Sequence, residues 1–285
     1  MDISSSTKLY GIFGHPIGHS FSPPMHNAAF QKLGLNCVYL AFDILPQNLS
    51  AAVNSIRQLN IQGINVTIPH KQDIINCLDE ISDEAKYTGA VNTVKNNDGK
   101  LFGHNTDVGG FLKDLEVELG IREFSEISAC LIGAGGAARA VLSGLCISGT
   151  KKITIINRTK IKALELANYF LKRFSSIEIN SADLKDHSEI KKCLENSNLL
   201  INSSSAGMIG HDPLNIPLES LPKNSCVYDL VYNPKETELI KQAKSLGHRS
   251  APGLGMLLYQ GAESFEYWTN KKAPIDVMKK ALSNN

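Results

Sequence analysis

The chain lacks the features that define several classes of protein. Its 285 residues have a formal net charge of +1 and no long run of one sign, which argues against electrostatic binding of nucleic acid. Residues 1–6 lack the basic and apolar regions of a secretory signal peptide. The longest apolar stretch, residues 127–147, contains an arginine and four glycines, which argues against a membrane span. We therefore expect an enzyme of the cytoplasm that acts on small molecules.

The cysteine and histidine patterns argue against disulfides and against a metal site. The six cysteines are widely spaced, form no C-x-x-C motif and mostly lie in apolar runs, which favours buried free thiols in a reducing compartment. Five histidines in the first part of the chain, up to residue 104, match no common metal-ligand spacing. We therefore predict no metal site. The five residues are His15, His19, His26, His70 and His104.

The order of predicted elements indicates an α/β protein of two domains, for which the length is sufficient. In the first part, short apolar runs alternate with helical patterns, which favours a mainly parallel sheet, and Asn97-Asp-Gly99 predicts one β-hairpin. Two C-terminal helical segments have no strand of their own, and we expect them to complete the first domain. The predicted domains are residues 1–106 with 255–285, and residues 107–254.

A set of polar side chains predicts a ligand site in the first domain. The sequence Asn65-Val-Thr-Ile-Pro-His-Lys71 indicates a half-buried strand that its proline ends. Thr67 and Lys71 could supply a hydroxyl and an amine at the strand's exit, and Asn92 and Asp107 an amide and a carboxylate. One amine, one carboxylate and several neutral groups suit a small polyhydroxylated molecule.

A glycine-rich sequence predicts dinucleotide binding in the second domain. Gly133-x-Gly135-x-x-Ala138 follows a predicted strand and opens an apolar helix, with a second strand at residues 152–156. Gly133 permits a tight turn, Gly135 lets the backbone approach a pyrophosphate, and the helix N-terminus offers free N–H groups. The pattern favours a Rossmann-type, doubly wound parallel sheet over a plain glycine turn. The predicted loop contacts are Gly133, Ala134, Gly135, Gly136 and Ala137.

The end of the second strand of this domain discriminates between nicotinamide cofactors. An acidic residue there would bind the ribose 2′-hydroxyl of NAD and repel a 2′-phosphate. The chain has Asn157-Arg158-Thr159 instead, with no carboxylate until Glu165. A guanidinium beside an amide and a hydroxyl suits a phosphate ester, so we predict NADP. The alternative to phosphate binding is that Arg158 is only a solvated charge in a loop.

Eight motifs follow one another along nearly the whole chain: Ser20-Phe-Ser22-Pro-x-x-His-Asn27, Asn65-Val-Thr-Ile-Pro-His-Lys71, Gly89-Ala-Val-Asn-Thr93, Gly103-His-Asn-Thr-Asp107, Gly133-Ala-Gly-Gly-Ala137, Asn157-Arg-Thr159, Tyr228-Asp-Leu-Val-Tyr-Asn-Pro234 with Thr237, and Gly255-Met-Leu-Leu-Tyr-Gln260. This ordered set resembles the shikimate dehydrogenase family. The resemblance implies reversible, NADPH-dependent reduction of 3-dehydroshikimate to shikimate, a step in chorismate and aromatic amino-acid biosynthesis.

The resemblance also implies roles for individual residues. Lys71 and Asp107 match the catalytic pair, in which the amine exchanges a proton with the reacting oxygen and the carboxylate orients the amine. Ser20 and Ser22 would hold the substrate carboxylate. The ring hydroxyls would be held by Thr67, Asn92, Tyr232 and Gln260, with Asn65 close by. Smaller contributions to cofactor binding are expected from Leu230, Gly253 and Asp83.

Two other functions remain open at this stage. A quinate/shikimate dehydrogenase that uses NAD would share the scaffold, but it tends to have an acidic residue where this chain has Asn157-Arg158. A non-catalytic sensor of a shikimate-pathway ligand should have lost the amine or the carboxylate, and this chain retains Lys71 and Asp107. The sequence does not distinguish a monomer from a homodimer.

Overall fold

The computed structural model describes residues 3–283. The chain forms two compact units. The first unit contains the residues up to Gly110 and those from Leu257 onward, and the second is Phe111–Met256. The boundaries expected from the sequence, after residues 106 and 254, fall a few residues before these. Each unit contains one sheet of six strands among the described residues. The predicted α/β fold with two mainly parallel sheets is confirmed.

The first unit contains strands β1 to β6. They are β1 (Lys8–Gly14), β2 (Cys37–Asp43), β3 (Gly63–Val66), β4 (Glu80–Ile81), β5 (Thr93–Asn97) and β6 (Lys100–His104). Their order across the sheet is β2-β1-β3-β5-β6-β4. Strand β1 pairs in parallel with β2 and β3, whereas β5 is antiparallel to both β3 and β6. The predicted hairpin is therefore present, and its turn residues Asp98 and Gly99 have positive φ angles.

The second unit contains strands β7 to β12, all parallel. They are β7 (Ser128–Ile132), β8 (Lys152–Asn157), β9 (Glu178–Asp183), β10 (Leu199–Asn202), β11 (Cys226–Asp229) and β12 (Arg249–Pro252). Their order is β12-β11-β10-β7-β8-β9, so the chain reverses direction across the sheet between the neighbours β7 and β10. Ligands of doubly wound sheets bind at the carboxyl ends of the strands at such a switch point.

Ten helices are found within residues 3–283. They are α1 (Ser22–Lys32), α2 (Leu49–Gln58), α3 (Asp83–Thr88), α4 (Asp107–Leu119), α5 (Gly136–Ile147), α6 (Lys160–Leu171), α7 (His187–Glu195), α8 (Glu238–Ser245), α9 (Leu254–Thr269) and α10 (Ile275–Ser283). In the first unit α10 packs against α1, and the Trp268 indole of α9 donates to the Val94 carbonyl of β5 (2.9 Å). No helix of the described chain is long and apolar enough to cross a membrane.

Each unit has its own apolar core. In the first unit, Val53 and Ile56 of α2 pack against Ile64 and Val66 of β3. In the second unit, the inner faces of α5 and α6 cover β7 and β8, and Ala138 is fully buried in that core. The small side chain at position 138 fits the close approach of helix and strand that the glycine motif requires.

One predicted helix has a different structure. The sequence pattern of residues 72–78 predicts a helix, and in the structure Asp73–Cys77 forms a short 3₁₀ helix. The segment is confined between the β3 loop and β4, since the Asp79 amide already donates to the Leu101 carbonyl (3.1 Å). Its turns are closed by i→i+3 hydrogen bonds, from the Ile75 amide to the Gln72 carbonyl and from the Leu78 amide to the Ile75 carbonyl (both 3.3 Å).

A buried histidine on α1 makes the stability of the fold depend on pH. His26 is fully buried, and neither ring nitrogen has a hydrogen-bond partner among the described residues. Its ring stacks on Tyr39 with the centroids 4.4 Å apart. Burial lowers the pKa of His26 to about 3, because a charged imidazole would lose its hydration there.

We predict that the free energy of unfolding falls as the pH drops below about 6.5. The unfolded chain takes up a proton on His26 that the folded chain excludes, at about 1.4 kcal/mol per pH unit, or about 2 kcal/mol by pH 5. His26→Phe, which keeps a ring against Tyr39, should remove this part of the slope in urea unfolding measured from pH 7 to pH 5. The same substitution at the exposed His19 should leave the slope unchanged, and a wild-type slope in His26→Phe would contradict the prediction.

Candidate active site

A shielded ion pair lies at the centre of the polar cluster in the first unit. Lys71 follows the end of β3, where its carbonyl accepts the Val91 amide (2.8 Å), and Asp107 is the first residue of α4. Lys71 Nζ lies 2.6 Å from Asp107 Oδ2, and their side chains are 14% and 8% exposed. Water and salt screen such a pair less than a surface pair, so the amine is held in place by both charge and geometry.

Asn92 fixes the other oxygen of the same carboxylate. Its Nδ2 donates to Asp107 Oδ1 (2.8 Å) and Thr106 Oγ1 (2.9 Å) and lies 3.2 Å from Gln260 Oε1. The Asn92 Oδ1 accepts the backbone N–H of Thr106 (2.8 Å). Both oxygens of Asp107 therefore have a donor, and the carboxylate has one orientation. The structure brings together four of the predicted residues: Lys71, Asn92, Asp107 and Gln260.

Three hydroxyl groups complete this cluster, and the sequence analysis did not identify them as site residues. Ser264 Oγ lies 2.7 Å from Thr93 Oγ1 and 3.0 Å from Thr106 Oγ1. Asn65, a predicted residue, donates from Nδ2 to Ser264 (3.0 Å) and Thr93 (3.1 Å). Thr93 and Thr106 stand inside the motifs, and Ser264 lies four residues after Gln260, on the same face of α9. That spacing is a signal that could have identified Ser264.

The remaining predicted substrate residues occupy three separate places. Ser22 is buried at the start of α1, and its backbone N–H donates to Oγ of the half-buried Ser20 (3.3 Å). Thr67 follows β3 directly, and a side chain at Gly14 would overlap its methyl group. Tyr232 lies in the second unit, after β11, where burial raises its pKa and keeps its hydroxyl protonated.

The glycine loop of the second unit has the geometry of a phosphate cradle. Gly133 has φ +106° directly after β7, and a Cβ there would lie 2.7 Å from Ser203 Oγ. Gly135 caps α5 with an extended backbone, and a Cβ there would meet no atom within 4 Å. Ala134 joins these two glycines, and Gly136 and Ala137 form the first turn of α5. The loop therefore leaves open the approach to the helix N-terminus that a dinucleotide pyrophosphate needs.

Arg158 lies at the rim of a cavity of about 660 Å³ beside this loop. The Asn157 side chain donates to the Thr159 carbonyl (3.0 Å), and Thr159 precedes α6. Lys185 and Asp212 also line this cavity, whereas β8 contributes no carboxylate to it. Two cationic side chains, Arg158 and Lys185, against one carboxylate suit a phosphorylated nucleotide, so the residues present fit NADP.

The weaker predictions fall at two different positions. Leu230 and Gly253 follow β11 and β12, and a Cβ at Gly253 would lie 2.4 Å from the Leu230 carbonyl oxygen, so the two backbones are in contact. Asp83 is an exposed residue in the first turn of α3 and pairs with Lys86 (2.8 Å). This ion pair is exposed to solvent, and the part of Asp83 in cofactor binding stays a prediction.

The arrangement in the first unit suits proton exchange with a small polyol or its ketone. An ammonium held by a carboxylate can donate to a developing alkoxide, and the neutral amine can accept the proton in the reverse direction. The amide groups of Asn92 and Gln260 offer both donors and acceptors for hydroxyl groups.

Three family models match successive parts of the chain. Residues 12–94 match the shikimate dehydrogenase substrate binding domain, residues 116–213 match shikimate / quinate 5-dehydrogenase, and residues 253–282 match the shikimate 5'-dehydrogenase C-terminal domain.

Individual relatives match almost from end to end. A shikimate dehydrogenase (NADP(+)) from Alkaliphilus oremlandii is 46% identical over 98% of both chains. A crystal structure of a shikimate dehydrogenase in complex with NADP+ has a TM-score of 0.90 and 42% identity, covering 99% of this chain and 97% of the other. The shikimate 5-dehydrogenase of Thermus thermophilus in complex with NADP(H) and shikimate has a TM-score of 0.85 and 35% identity, covering 97% and 99%.

We predict that Gly135→Ala weakens NADP binding by about tenfold or more while leaving the unfolding temperature nearly unchanged. The added methyl group enters open space, but it stands where a phosphate must approach the loop N–H groups, whose charge-assisted bonds would be lengthened. Titration with NADP and thermal unfolding would measure the two effects. Gly133→Ala is the matched contrast, since its positive φ and the contact with Ser203 should lower stability as well. Unchanged NADP affinity in Gly135→Ala would contradict the cradle.

Proposed function

The chain belongs to the shikimate dehydrogenase family, and we propose that it uses the Lys71–Asp107 pair for the proton transfer of the family's reaction. That reaction is the reversible, NADPH-dependent reduction of 3-dehydroshikimate to shikimate, a step in chorismate and aromatic amino-acid biosynthesis. The observation that supports the proposal is the 2.6 Å contact between Lys71 Nζ and a carboxylate whose second oxygen is held by Asn92.

Lys71 acts on the oxygen that changes its charge during the reaction. When bound, NADPH supplies the hydride for the carbonyl carbon. As negative charge develops on the carbonyl oxygen, the Lys71 ammonium stabilises it and delivers a proton. In the direction of shikimate oxidation the neutral amine accepts the proton. Asp107 orients the amine through their 2.6 Å contact.

The other predicted residues bind the substrate by neutral hydrogen bonds. Ser20 and Ser22 donate to the substrate carboxylate, which fits the absence of an arginine before residue 122 other than Arg57. The ring hydroxyls are held by Asn65, Thr67, Asn92, Tyr232 and Gln260. A polyol with a different hydroxyl pattern would leave buried partners unpaired, which is the basis of selectivity.

NADP is held by the second unit. The loop Gly133–Ala137 receives the pyrophosphate and Arg158, with Asn157 and Thr159, receives the 2′-phosphate. Leu230 and Gly253 provide backbone near the nicotinamide, and Asp83 is a weaker candidate. The protein works in the cytoplasm as a monomer or homodimer on small molecules, without nucleic acid, in keeping with its net charge of +1.

We predict that Lys71→Ala lowers kcat for shikimate oxidation by about 10²- to 10⁴-fold, while KM changes less than about threefold. The amine acts mainly on the transition state, so its loss should affect rate more than binding. Steady-state kinetics with NADP at 340 nm measure both constants. Lys100→Ala, at another ion-paired lysine of the same unit, is the control and should retain wild-type kinetics. Equal losses in rate and affinity would count against the catalytic role.

We also predict that Arg158→Ala raises KM for NADP by about 10- to 100-fold and leaves KM for NAD nearly unchanged. A charge-assisted hydrogen bond to the 2′-phosphate accounts for this range, and NAD lacks that phosphate. Arg122→Ala is the control, since its side chain is 76% exposed and pairs with Glu116. Equal losses for both cofactors would refute the phosphate contact. Comparable wild-type rates with quinate or NAD would place the protein with the dual-substrate enzymes.

A further inference from the structure

A buried carboxylate ends strand β11 of the second unit. Asp229 is fully buried, and the three residues of β11 before it are buried as well. Burial raises the pKa of Asp229, because a charged carboxylate would lose its hydration there. Such a group is stable inside a protein only where hydrogen-bond donors take the place of water. The donors that Asp229 receives therefore show which parts of the chain depend on it.

Three segments of the chain donate to Asp229. The Asn202 side chain, at the end of β10, donates from Nδ2 to Asp229 Oδ1 (2.9 Å). The Val231 backbone N–H donates to the same oxygen (3.1 Å), and the Thr237 hydroxyl donates to Oδ2 (2.6 Å). All three residues are buried. Both oxygens of Asp229 are bound by the protein itself, so the carboxylate can act only through the segments that it holds.

Through Asn202, Asp229 holds the loop that follows β10, residues 203–206 (the β10 loop). Asn202 Nδ2 has two hydrogens, and it donates one to Asp229 and the other to the Ala206 carbonyl (3.1 Å). Asn202 Oδ1 accepts the N–H (3.1 Å) and the hydroxyl (2.7 Å) of Ser204. Ser204 and Ala206 both line the cavity of about 660 Å³ beside the glycine loop. The wall of that cavity therefore depends on a carboxylate that is not among its lining residues.

Through Val231 and Thr237, Asp229 closes the loop that follows β11, residues 230–236 (the β11 loop). Val231 lies at the start of this loop and Thr237 directly follows it, so one carboxylate holds both ends. The Thr237 hydroxyl also accepts the Ile240 N–H (3.3 Å) and caps α8. The β11 loop is therefore fixed between the end of a buried strand and the first turn of a helix.

We propose that Asp229 is a positioning residue that sets the β10 loop and the β11 loop in one arrangement for the binding of cofactor and substrate. The β10 loop forms part of the wall of the nucleotide cavity. The β11 loop contains Leu230, proposed to lie near the nicotinamide, and Tyr232, proposed to hold a ring hydroxyl. The inference rests on the proposed function for those two contacts. Because Asp229 acts only through the loops, its loss should affect binding more than proton transfer.

Thr237→Val keeps the shape of the side chain and removes the hydroxyl that closes the β11 loop. We expect the KM for shikimate to rise about tenfold, the effect of one hydrogen bond lost from a buried carboxylate, and kcat to fall less than about threefold. Thr237→Ser keeps the hydroxyl and should have a KM within about twofold of wild type. Thr150→Val is the matched control, because Thr150 is a buried threonine of the same unit whose hydroxyl has no hydrogen-bond partner within residues 3–283. Its KM should equal that of the wild type.

A double-mutant cycle separates the Asp229 contact from the capping of α8. Asp229→Asn keeps the shape of the side chain, and its one oxygen is expected to stay with the two donors Asn202 and Val231. Its NH2 group, which cannot accept the Thr237 hydrogen, then faces Thr237. Thr237→Val should therefore raise the KM for shikimate at least about threefold less in Asp229→Asn than in the wild type. Equal effects in both backgrounds would reduce Thr237 to a helix cap and overturn the proposal.

The β10 loop is tested by direct titration with NADP. Asn202→Ala should raise the Kd for NADP about tenfold, and Asp229→Leu, which removes both acceptor oxygens at similar volume, should raise it as much. Asn198→Ala is the matched control, because Asn198 directly precedes β10 and its side chain also makes two hydrogen bonds to the backbone. It should leave the Kd unchanged. A wild-type Kd in Asp229→Leu, or equal Kd values in Asn202→Ala and Asn198→Ala, would overturn the proposal for the β10 loop.

The failure of the proposed function can be recognised separately. A wild-type KM for shikimate in Tyr232→Phe would remove Tyr232 from the substrate site, and with it the substrate part of this inference. A raised KM in Tyr232→Phe together with a wild-type KM in Thr237→Val would leave the substrate contact intact and reject Asp229 alone. Activity that falls with the unfolding temperature while KM and Kd stay unchanged would show a role in packing only and would overturn the proposal.

Discussion

The polar interior of the first unit depends on the hydrogen bonds that stabilise a shielded ion pair. Lys71 and Asp107 can remain charged with little access to water only if each polar group around them has a partner. Asn92 supplies that partner for the carboxylate, and its own oxygen accepts the Thr106 amide. The Thr106 hydroxyl is in turn hydrogen-bonded to the Ser264 hydroxyl, which also accepts a hydrogen bond from Asn65. The result is a polar interior in which buried side chains hydrogen-bond one another.

The constraint on the second unit is different, because a ligand must be able to approach the backbone closely. A parallel sheet brings the carboxyl ends of its strands to one edge, where β7 and β10 lie side by side at the switch in strand order. The positive φ of Gly133 turns the chain sharply there, and Gly135 leaves the space above the α5 N-terminus open. In the second unit the site is open because its glycines have no side chains. In the first unit the site is formed by hydrogen bonds between side chains.

Much of the fold was predictable because apolar periodicity and turn chemistry are local. The hairpin at Asn97–Gly99 and the strand–glycine–helix sequence from β7 to α5 are cases of this kind. The strands β9 and β12 were not identified, because these short segments alternate little. The helices α7 and α8 were also not identified, although the side chains of Asp186 and Thr237 cap their N-termini and are a local signal. The helix predicted at residues 72–78 is present as the 3₁₀ helix Asp73–Cys77, a shorter and tighter form than the pattern alone specifies.

The sequence by itself determined the chemistry of this protein: an amine, a carboxylate, a glycine turn and an arginine, in an order that identifies the family and its cofactor. Those inferences need only residue type and spacing along the chain. The tertiary structure decided which groups share hydrogens. Tyr39 of β2 and Ser264 of α9 are distant from Asn65 in sequence, and they join the network because the packing of strand and helix brings their hydroxyl groups to Asn65. Contacts between distant segments depend on packing, which no local pattern specifies.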